Sequence, residues 1–403
     1  MDFADSPSEA AFRSECRAWL SAHADRRGPT AGMDVTAILD PQVGDDLDRA
    51  RTWQARAAAD GWAAVAWPRE YGGRGVTLAE EIVFQQERAH YDIPDHPFRI
   101  GIMLAGPTLI AHATDAQRRR WLAPMLRGDE IWCQLFSEPG AGSDLASLRT
   151  AAVRDGDHWV VDGQKVWSSG AHHSHRGMLL ARTDPDAARN RGITYFALDM
   201  RTPGIEVRPL RQLTGGAHFN EVFLTGVRIP DTDRLGDVDA GWSVAQTTLL
   251  SERAAIAQLV GEGELAGALI GLARRADAHG HAATSDPRVR QAIAAVAVEE
   301  SILRYIGFRI VTALSRGTIP GPEASIAKLA IARLARRSAD VAMHLGGADA
   351  IAGAPDLREW TMSFLVAPAL RIAGGSDEIQ RNIIGERVLG LPREPPADQL
   401  RGT

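Results

Sequence analysis

The sequence predicts an α+β protein in which two helical regions flank a β region. Apolar residues recur at helical spacing in the first and last thirds of the chain. In the middle third, short runs of β-forming residues alternate with Gly, Asp and Pro. We therefore expect an N-terminal helical domain, a middle β domain and a C-terminal helical domain, over residues 1–130, 131–236 and 237–403.

The N-terminal region shows two clear helical patterns. Phe12, Cys16 and Leu20 repeat every four residues, and the segment 78–89 has the same periodicity. Between the two patterns, the turn-forming segment 67–73 contains a Pro and a Gly-Gly pair.

The middle region begins with a predicted hairpin. Two β-type runs, 158–161 and 164–167, flank Asp162-Gly163, a dipeptide that favours a type I′ turn. Further strands are predicted at these segments: 177–182, 194–200, 205–209 and 221–229.

The C-terminal region returns to helical spacing. Ile326, Leu329, Ala330 and Leu334 share one predicted face, and such helices continue to about Leu389. A helical domain of several long helices is therefore expected.

Composition excludes several classes of protein. The 403 residues carry a mixed net charge of −6 and 45% hydrophobic residues, which argues against a nucleic-acid partner or a membrane span. Cys16 and Cys133 form no Cys-x-x-Cys pair, and the acidic N-terminus does not resemble an export signal. We expect a cytoplasmic protein.

One glycine- and serine-rich loop suggests a ligand site. In Trp132-Cys-Gln-Leu-Phe-Ser-Glu-Pro-Gly-Ala-Gly-Ser-Asp144, Gly140 and Gly142 permit close approach of a ligand, and Ser137 and Ser143 supply hydroxyls. Alone, such a loop is more often an ordinary turn. The third glycine of a Gly-x-Gly-x-x-Gly fingerprint is absent, so a Rossmann site is excluded.

Two motifs together resemble the acyl-CoA dehydrogenase family. Phe136-Ser-Glu-Pro-Gly-Ala-Gly-Ser-Asp144 is followed by Asp162-Gly-Gln-Lys-Val-Trp-Ser-Ser-Gly170, in the family's order, and the likeness extends from Trp67 to Pro392. The resemblance implies a middle β-barrel-like domain and a C-terminal four-helix bundle. It also implies FAD as cofactor, an acyl-CoA substrate and an electron-transfer flavoprotein or similar acceptor.

The same resemblance assigns cofactor-binding residues. Gln134, Phe136 and Ser137 would line the pyrimidine side of the flavin ring, Trp167 and Ser169 would cover the ring, and Ser143 would meet the pyrophosphate or the thioester. By itself, Trp167 would be read as a core aromatic. The full predicted cofactor set is Gln134, Phe136, Ser137, Gly142, Ser143, Trp167, Ser168, Ser169, Ser376, Asp377 and Glu378.

The catalytic base is predicted at Glu252. Most members of the family place a glutamate at the position of Gly374, and a minority carry it in a Glu-Arg pair that matches Glu252-Arg253. Abstraction of an α-proton requires such a carboxylate. Arg253, Ser143 and Gly374 are then expected at the substrate. The alternative is that Glu252 is a solvated carboxylate near a helix start.

Two departures from the family concern the dinucleotide half of FAD. An arginine and a glutamine that the family contributes to the neighbouring subunit are replaced in Ala276-Asp-Ala-His-Gly280 and Met343-His-Leu-Gly-Gly347. This pattern is similar to actinobacterial α2β2 dehydrogenases of steroid degradation. We expect a homologous second subunit, and otherwise a homo-oligomer.

The sequence thus predicts an FAD-dependent acyl-CoA dehydrogenase, with a steroid-derived acyl group as a finer expectation. Two alternatives stay open: a flavin oxidase or monooxygenase of the same fold, and a non-catalytic subunit of a heteromeric dehydrogenase. The histidines of Ala171-His-His-Ser-His175 suggest a metal site, but the family has none, and a surface loop is expected instead.

Overall fold

The structure is a computed structural model that describes residues 5–26, 46–257, 264–275, 282–315 and 323–393. The described residues form two compact units, one up to Ala255 and one from Ile256 onward. Each unit has a hydrophobic core of its own.

The first unit opens with the predicted helices. Helix α1 begins at a capping box, in which Ser6 Oγ accepts from the Glu9 amide at 3.3 Å and the Ser6 amide donates to the Glu9 carboxylate at 2.6 Å. The helices are α1 (Pro7–His23), α2 (Leu47–Ala59), α3 (Leu78–Arg88), α4 (Gly106–His112) and α5 (Asp115–Arg127). Two short strands, β1 (Asp25–Arg26) and β2 (Tyr91–Asp92), pair antiparallel.

A π-helical segment, Gly101–Ala105, leads directly into α4. Gly106 stands where a Cβ would lie 1.9 Å from the Trp67 ring, so only glycine permits this contact. Trp67 Nε1 donates to the Ile102 carbonyl at 3.2 Å. The segment 67–73, predicted as a turn, therefore supports the π-helical segment.

Residues 132–235, all of them described, form an eight-stranded sheet. The order is β10-β7-β6-β4-β5-β9-β8, with β3 parallel to β6. The strands are β3 (Trp132–Leu135), β4 (Ala151–Asp155), β5 (His158–Lys165), β6 (Arg176–Arg182), β7 (Ile193–Asp199), β8 (Ile205–Pro209), β9 (Asn220–Pro230) and β10 (Arg234–Leu235). The four later predicted strands are confirmed to within one residue at each end.

The predicted turn at Asp162-Gly163 is wrong. Strand β5 runs through both residues, and its register against β9 shifts between Val161 and Gly163. A Cβ at Gly163 would lie 2.5 Å from Thr150 Oγ1, so this glycine serves a close approach within the sheet. The hairpin instead turns at Gly156, which has φ +62°.

Helix α6 (Gly241–Ala257) follows the sheet. The second unit then contains a core of packed helices, in which α9 contacts α7, α8 and α10. Its helices are α7 (Glu264–Ala273), α8 (Pro287–Ser315), α9 (Glu323–Ile351), α10 (Arg358–Leu370) and α11 (Asp377–Ile383). Among the described residues, no helix is both long and apolar enough to cross a membrane.

Candidate active site

Strand β3 and the loop after it contain both buried and accessible residues. Leu135 and Phe136 are buried, whereas Gln134 and Ser137 are half-buried. The Val166 amide donates to the Ser137 carbonyl at 2.9 Å and so fastens the end of β5 to this loop. The two segments that carry the sequence motifs are therefore adjacent.

A buried ion pair joins the same two segments. Lys165 Nζ lies 2.8 Å from the Glu138 carboxylate and 3.0 Å from the Phe136 carbonyl, and the lysine side chain has no exposed surface. The Glu138 carboxylate also accepts from the amides of Arg149 and Thr150 at 2.7 and 2.9 Å. The loop 136–144, called the motif loop below, is thus held in place by charge-assisted hydrogen bonds.

Both members of this pair are ionised at neutral pH. Burial would raise the pKa of Glu138, but the charge of Lys165 and the hydrogen bonds outweigh it and lower the pKa. Burial lowers the pKa of Lys165 to about 8, against the opposing effect of Glu138. Sequence reasoning did not select either residue, although Lys165 is one of only two lysines in the chain.

Trp167 presents its ring to solvent from an unfavourable backbone. Its side chain is 61% exposed and its φ is +62°, a left-handed conformation that costs a bulky residue on the order of 1–3 kcal/mol. Its ring meets Phe219 edge-on, with centroids 5.9 Å apart. The expectation for an isolated tryptophan, a core aromatic, does not hold.

Asn220 maintains this conformation. Its side-chain amide is buried and donates to the carbonyls of Ser168 and His218 at 2.8 and 2.9 Å, while the Gly170 amide donates to the His218 carbonyl at 3.0 Å. The backbone around Trp167 is therefore fixed from β9. Sequence spacing could not identify Asn220, because its side chain contacts the loop of Trp167 only in the folded structure.

The neighbouring serines occupy different environments. Ser168 is fully buried, and its Oγ has no hydrogen-bond partner among the described residues. Ser169 is half-buried and lines a small cavity with His173 and His218. Burial and the two neighbouring histidines lower the pKa of His218 to about 4, so its imidazole is neutral at pH 7. Gly142 and Ser143 are exposed on the motif loop.

The described residues contain no group of three or more histidine, cysteine or acidic side chains that could hold a metal ion. The segment Ala171–His173 forms a short 3-10 turn, and His175 Nδ1 accepts from the Ile131 amide at 3.0 Å. His175 is thus engaged with the backbone.

Glu252 lies on α6 in the same unit as the motif loop and is half-buried. Thr248, one helical turn earlier, is fully buried. The side chain of Arg253 lies outside the described part of the structure, and so does the segment 276–280. Their predicted roles stay predictions.

The remaining predicted residues belong to the second unit. Gly374 and Gly375 have φ of +65° and +89°, and Gln380 Nε2 donates to the Gly374 carbonyl at 2.9 Å. Ser376 caps α11 by accepting from the Ile379 amide at 3.3 Å. Glu378 is exposed.

Asp377 is buried and already engaged by two cations. Its carboxylate lies 3.2 Å from Lys328 Nζ and 2.8 Å from Arg371 Nε. Burial would raise the pKa of Asp377, but the hydrogen bonds and charges of these cations lower it. Its contact with a cofactor stays a prediction.

On α9 of the same unit, Met343 is half-buried and Gly347 breaks the helical geometry at φ +51°.

The residues that gather in the first unit suit a planar aromatic ligand with a polar edge. The exposed indole of Trp167 offers a flat surface, and Gln134, Ser137 and Ser169 offer amide and hydroxyl groups with accessible surface. A flavin ring has this combination of properties, so the donor set fits the cofactor that the sequence implies.

Comparison with known proteins agrees with this chemistry. Three family descriptions match consecutive parts of the chain: "Acyl-CoA dehydrogenase, N-terminal domain" at 33–129, "middle domain" at 133–227 and "C-terminal domain" at 239–389. The predicted boundaries at 130/131 and 236/237 stay predictions.

Relatives and solved structures are similar over almost the full length. Acyl-CoA dehydrogenase IpdE1 of Mycobacterium tuberculosis is 39% identical, covering 95% of this chain and 98% of that protein. The Tcur3481-Tcur3483 steroid ACAD structure matches with TM-score 0.80 and 28% identity, covering 98% of this chain and 100% of that one. The ChsE4-ChsE5 complex from Mycobacterium tuberculosis gives TM-score 0.79 and 29% identity with the same coverage. The chain belongs to the acyl-CoA dehydrogenase family of FAD-dependent oxidoreductases.

Proposed function

We propose that this chain catalyses the α,β-desaturation of an acyl-CoA thioester, with Glu252 as the base and FAD held against Trp167. The observation that carries the proposal is the exposed Trp167 ring, fixed in a left-handed conformation by buried Asn220. Strain of this kind persists where the surrounding structure enforces it, and it is concentrated at functional sites.

Each residue then has a defined task. FAD, when bound, supplies a hydride acceptor. Glu252 removes the α-proton of the thioester as a general base. Trp167 and Ser169 would cover the flavin ring, and Gln134, Phe136 and Ser137 would line its pyrimidine side. The Lys165–Glu138 pair keeps the motif loop in register with the loop that carries Trp167.

The proposed substrate is the CoA thioester of a steroid-derived acid. This choice is supported by the likeness to the Tcur3481-Tcur3483 protein, which is a steroid ACAD. An electron-transfer flavoprotein or similar acceptor would reoxidise the flavin.

The proposed assembly is a heteromer with a homologous subunit. The similar structures Tcur3481-Tcur3483 and ChsE4-ChsE5 each pair two proteins, and this chain has Met343 where the family has a cofactor-binding glutamine. Helix α8 also exposes an apolar stripe at helical spacing, namely Val298 (57%), Ile302 (49%) and Tyr305 (48%). A partner helix would cover that stripe.

The test is anaerobic bleaching of flavin absorbance by octanoyl-CoA, palmitoyl-CoA and a steroid side-chain CoA thioester. It uses the chain alone and co-expressed with a homologous subunit from the same genome. We expect full flavin content and bleaching by the steroid compound only in the complex. A lone chain with one FAD per protomer and full activity contradicts the heteromer.

The base is tested in the complex by Glu252→Gln, with Glu206→Gln as a matched control because Glu206 is exposed and pairs with Arg208 on β8. We expect loss of bleaching only in Glu252→Gln. Turnover that survives Glu252→Gln favours the oxidase or monooxygenase alternative. A complex that tolerates both Glu252→Gln and Trp167→Ala identifies this chain as a non-catalytic subunit.

A further inference from the structure

Three buried hydroxyls connect the helix of Glu252 to the rest of its unit. Thr108 Oγ1 and Thr248 Oγ1 are 2.8 Å apart, and Tyr195 Oη lies 3.3 Å from Thr248 Oγ1. None of the three side chains is more than 1% exposed. They come from α4, α6 and β7, which are distant in sequence.

The shortest contacts in this cluster favour one direction of hydrogen bonding. Thr108 Oγ1 lies 2.8 Å from the Leu104 carbonyl, and when it donates its only proton there it accepts from Thr248. Thr248 therefore has no proton left for the Val244 carbonyl, which lies at a marginal 3.5 Å. Tyr195 must then donate to Thr248. The chain runs from Tyr195 to Thr248 to Thr108 and ends at the Leu104 carbonyl.

One end of this hydroxyl chain contacts the loop that carries the first sequence motif, and the other end lies in the π-helical segment before α4. The ring of Tyr195 packs edge-on against Phe136 of the motif loop, with centroids 5.8 Å apart and an interplanar angle of 87°. Leu104 belongs to the π-helical segment before α4, a type of segment that is frequent at functional sites.

Thr248, the middle residue of the hydroxyl chain, is one helical turn before Glu252. Residues four apart on a helix share a face, so Thr248 and Glu252 are on the same side of α6. A hydroxyl that both donates and accepts fixes its helix in rotation as well as in position, because a shift along either direction breaks one of the bonds.

We propose that Thr248, together with Tyr195 and Thr108, is a positioning residue for Glu252. The hydroxyl chain sets the rotation of α6 relative to Phe136, and therefore the place from which Glu252 reaches the α-carbon. This inference rests on the proposed role of Glu252 as the base.

The test uses the flavin-loaded complex and two substitutions of Thr248, one that preserves side-chain volume and one that preserves the hydroxyl. Thr248→Val removes the central hydroxyl, Thr248→Ser keeps it, and Thr247→Val is the control. Thr247 is the next residue on α6 but bonds to His112 at 2.7 Å instead. The measurements are kcat, KM, flavin content and exchange of the α-proton in D2O. The exchange probe is 3-thiaoctanoyl-CoA. If the steroid thioester is the compound that bleaches the flavin, its 3-thia analogue is used instead. Sulfur in place of the β-carbon blocks hydride loss and leaves proton removal to be observed.

We expect Thr248→Val to lower kcat and α-proton exchange by a common factor of about 10 to 100, since a misplacement of about 1 Å can cost about 100-fold. KM and flavin content stay unchanged. Thr248→Ser restores both rates and Thr247→Val does not affect them. Exchange at the wild-type rate in Thr248→Val overturns the inference, as does failure of Thr248→Ser to restore it.

Two further variants keep the outcomes separable. If Thr248→Val does not fold, Tyr195→Phe serves in its place, because it removes the first donor and leaves the Thr248–Thr108 bond intact; an unchanged exchange rate in that variant overturns the inference. Glu252→Gln is measured beside them. Exchange that survives Glu252→Gln refutes the base, whereas exchange lost in Glu252→Gln but normal in Thr248→Val refutes only the positioning role.

Discussion

The two lysines of the chain both lie in buried ion pairs, one in each compact unit, and the pairs differ in their enclosure. Lys165 has no exposed surface, and its carboxylate partner Glu138 also binds two backbone amides. Lys328 is equally hidden at 4%, but its partner Asp377 is shared with Arg371, whose side chain is 56% exposed. The ammonium of the first pair is completely enclosed, whereas the second pair has an exposed arginine at its edge.

The burial that both ammonium groups share accounts for lysine in a chain whose other basic residues are arginines. An ammonium is compact and can be enclosed by a carboxylate and a carbonyl, whereas a guanidinium is larger and has five donors to satisfy. The comparison predicts that the two pairs respond unequally to the same substitutions.

The largest effect is expected from Glu138→Gln. It leaves the Lys165 ammonium buried without a counter-charge, and the free energy of unfolding should fall by about 3–5 kcal/mol. Urea denaturation measures this. The double variant Glu138→Gln/Lys165→Met, which buries no charge, should recover part of the loss. A double variant no more stable than the single one contradicts the cost assigned to the unpaired Lys165 ammonium.

Asp377→Asn should cost less, about 2 kcal/mol, because the Lys328 ammonium still has the negative charge of Glu378 nearby, and Arg371 can turn toward water. Arg371→Gln, which leaves Lys328 and Asp377 paired, should cost under about 1 kcal/mol. Urea denaturation again gives both values. A loss for Asp377→Asn as large as that for Glu138→Gln would remove the distinction between the pairs.

Exchange of lysine for arginine separates the two sites by size. Lys165→Arg should cost about 1.5 kcal/mol through overpacking, while Lys328→Arg, at the site with the exposed arginine, should cost about half as much. Thermal unfolding of both variants at one pH tests this order. Equal costs would show that enclosure does not explain the choice of lysine.

The smallest effect is on acid stability. The pKa of Glu138 and that of Asp377 are both lower in the folded protein. Their stabilisation is therefore complete above the unfolded values of about 4.3 and 3.9 and is lost as the pH falls through and below them. Melting temperatures between pH 6 and pH 3 should decline less steeply in Glu138→Gln and Asp377→Asn. A decline as steep as that of the wild type would contradict the lowered pKa values.

Local patterns were sufficient to predict the order of the elements. Strand β8 has the predicted bounds, and α3 ends one residue before its predicted end, because period-two and helical spacing record which face is buried. The turn predicted at Asp162-Gly163 was wrong, because Gly163 is needed for close packing against Thr150 across the sheet and not for a turn. Ile326, predicted on a buried face of α9, is 38% exposed, while the small Ala327 beside it is buried.

The candidate site was predictable only where a motif carries it. Trp167 and Ser137 follow from the two motifs. The contacts of Asn220 with Ser168, and of Tyr195 with Thr248, each join elements that are distant in sequence. No spacing rule contains such contacts. Glu138 lies within the first motif and Lys165 within the second, so both could have been selected from the motifs, although only the structure shows that they pair.

Trp167 also has a spectroscopic consequence. The chain has ten tryptophans, and several of them, including Trp121 and Trp132, are almost completely buried. An indole that is 61% exposed emits at longer wavelength than buried ones, and a flavin stacked on it would quench that emission. The red edge of the fluorescence spectrum therefore reports on cofactor loading at this one side chain.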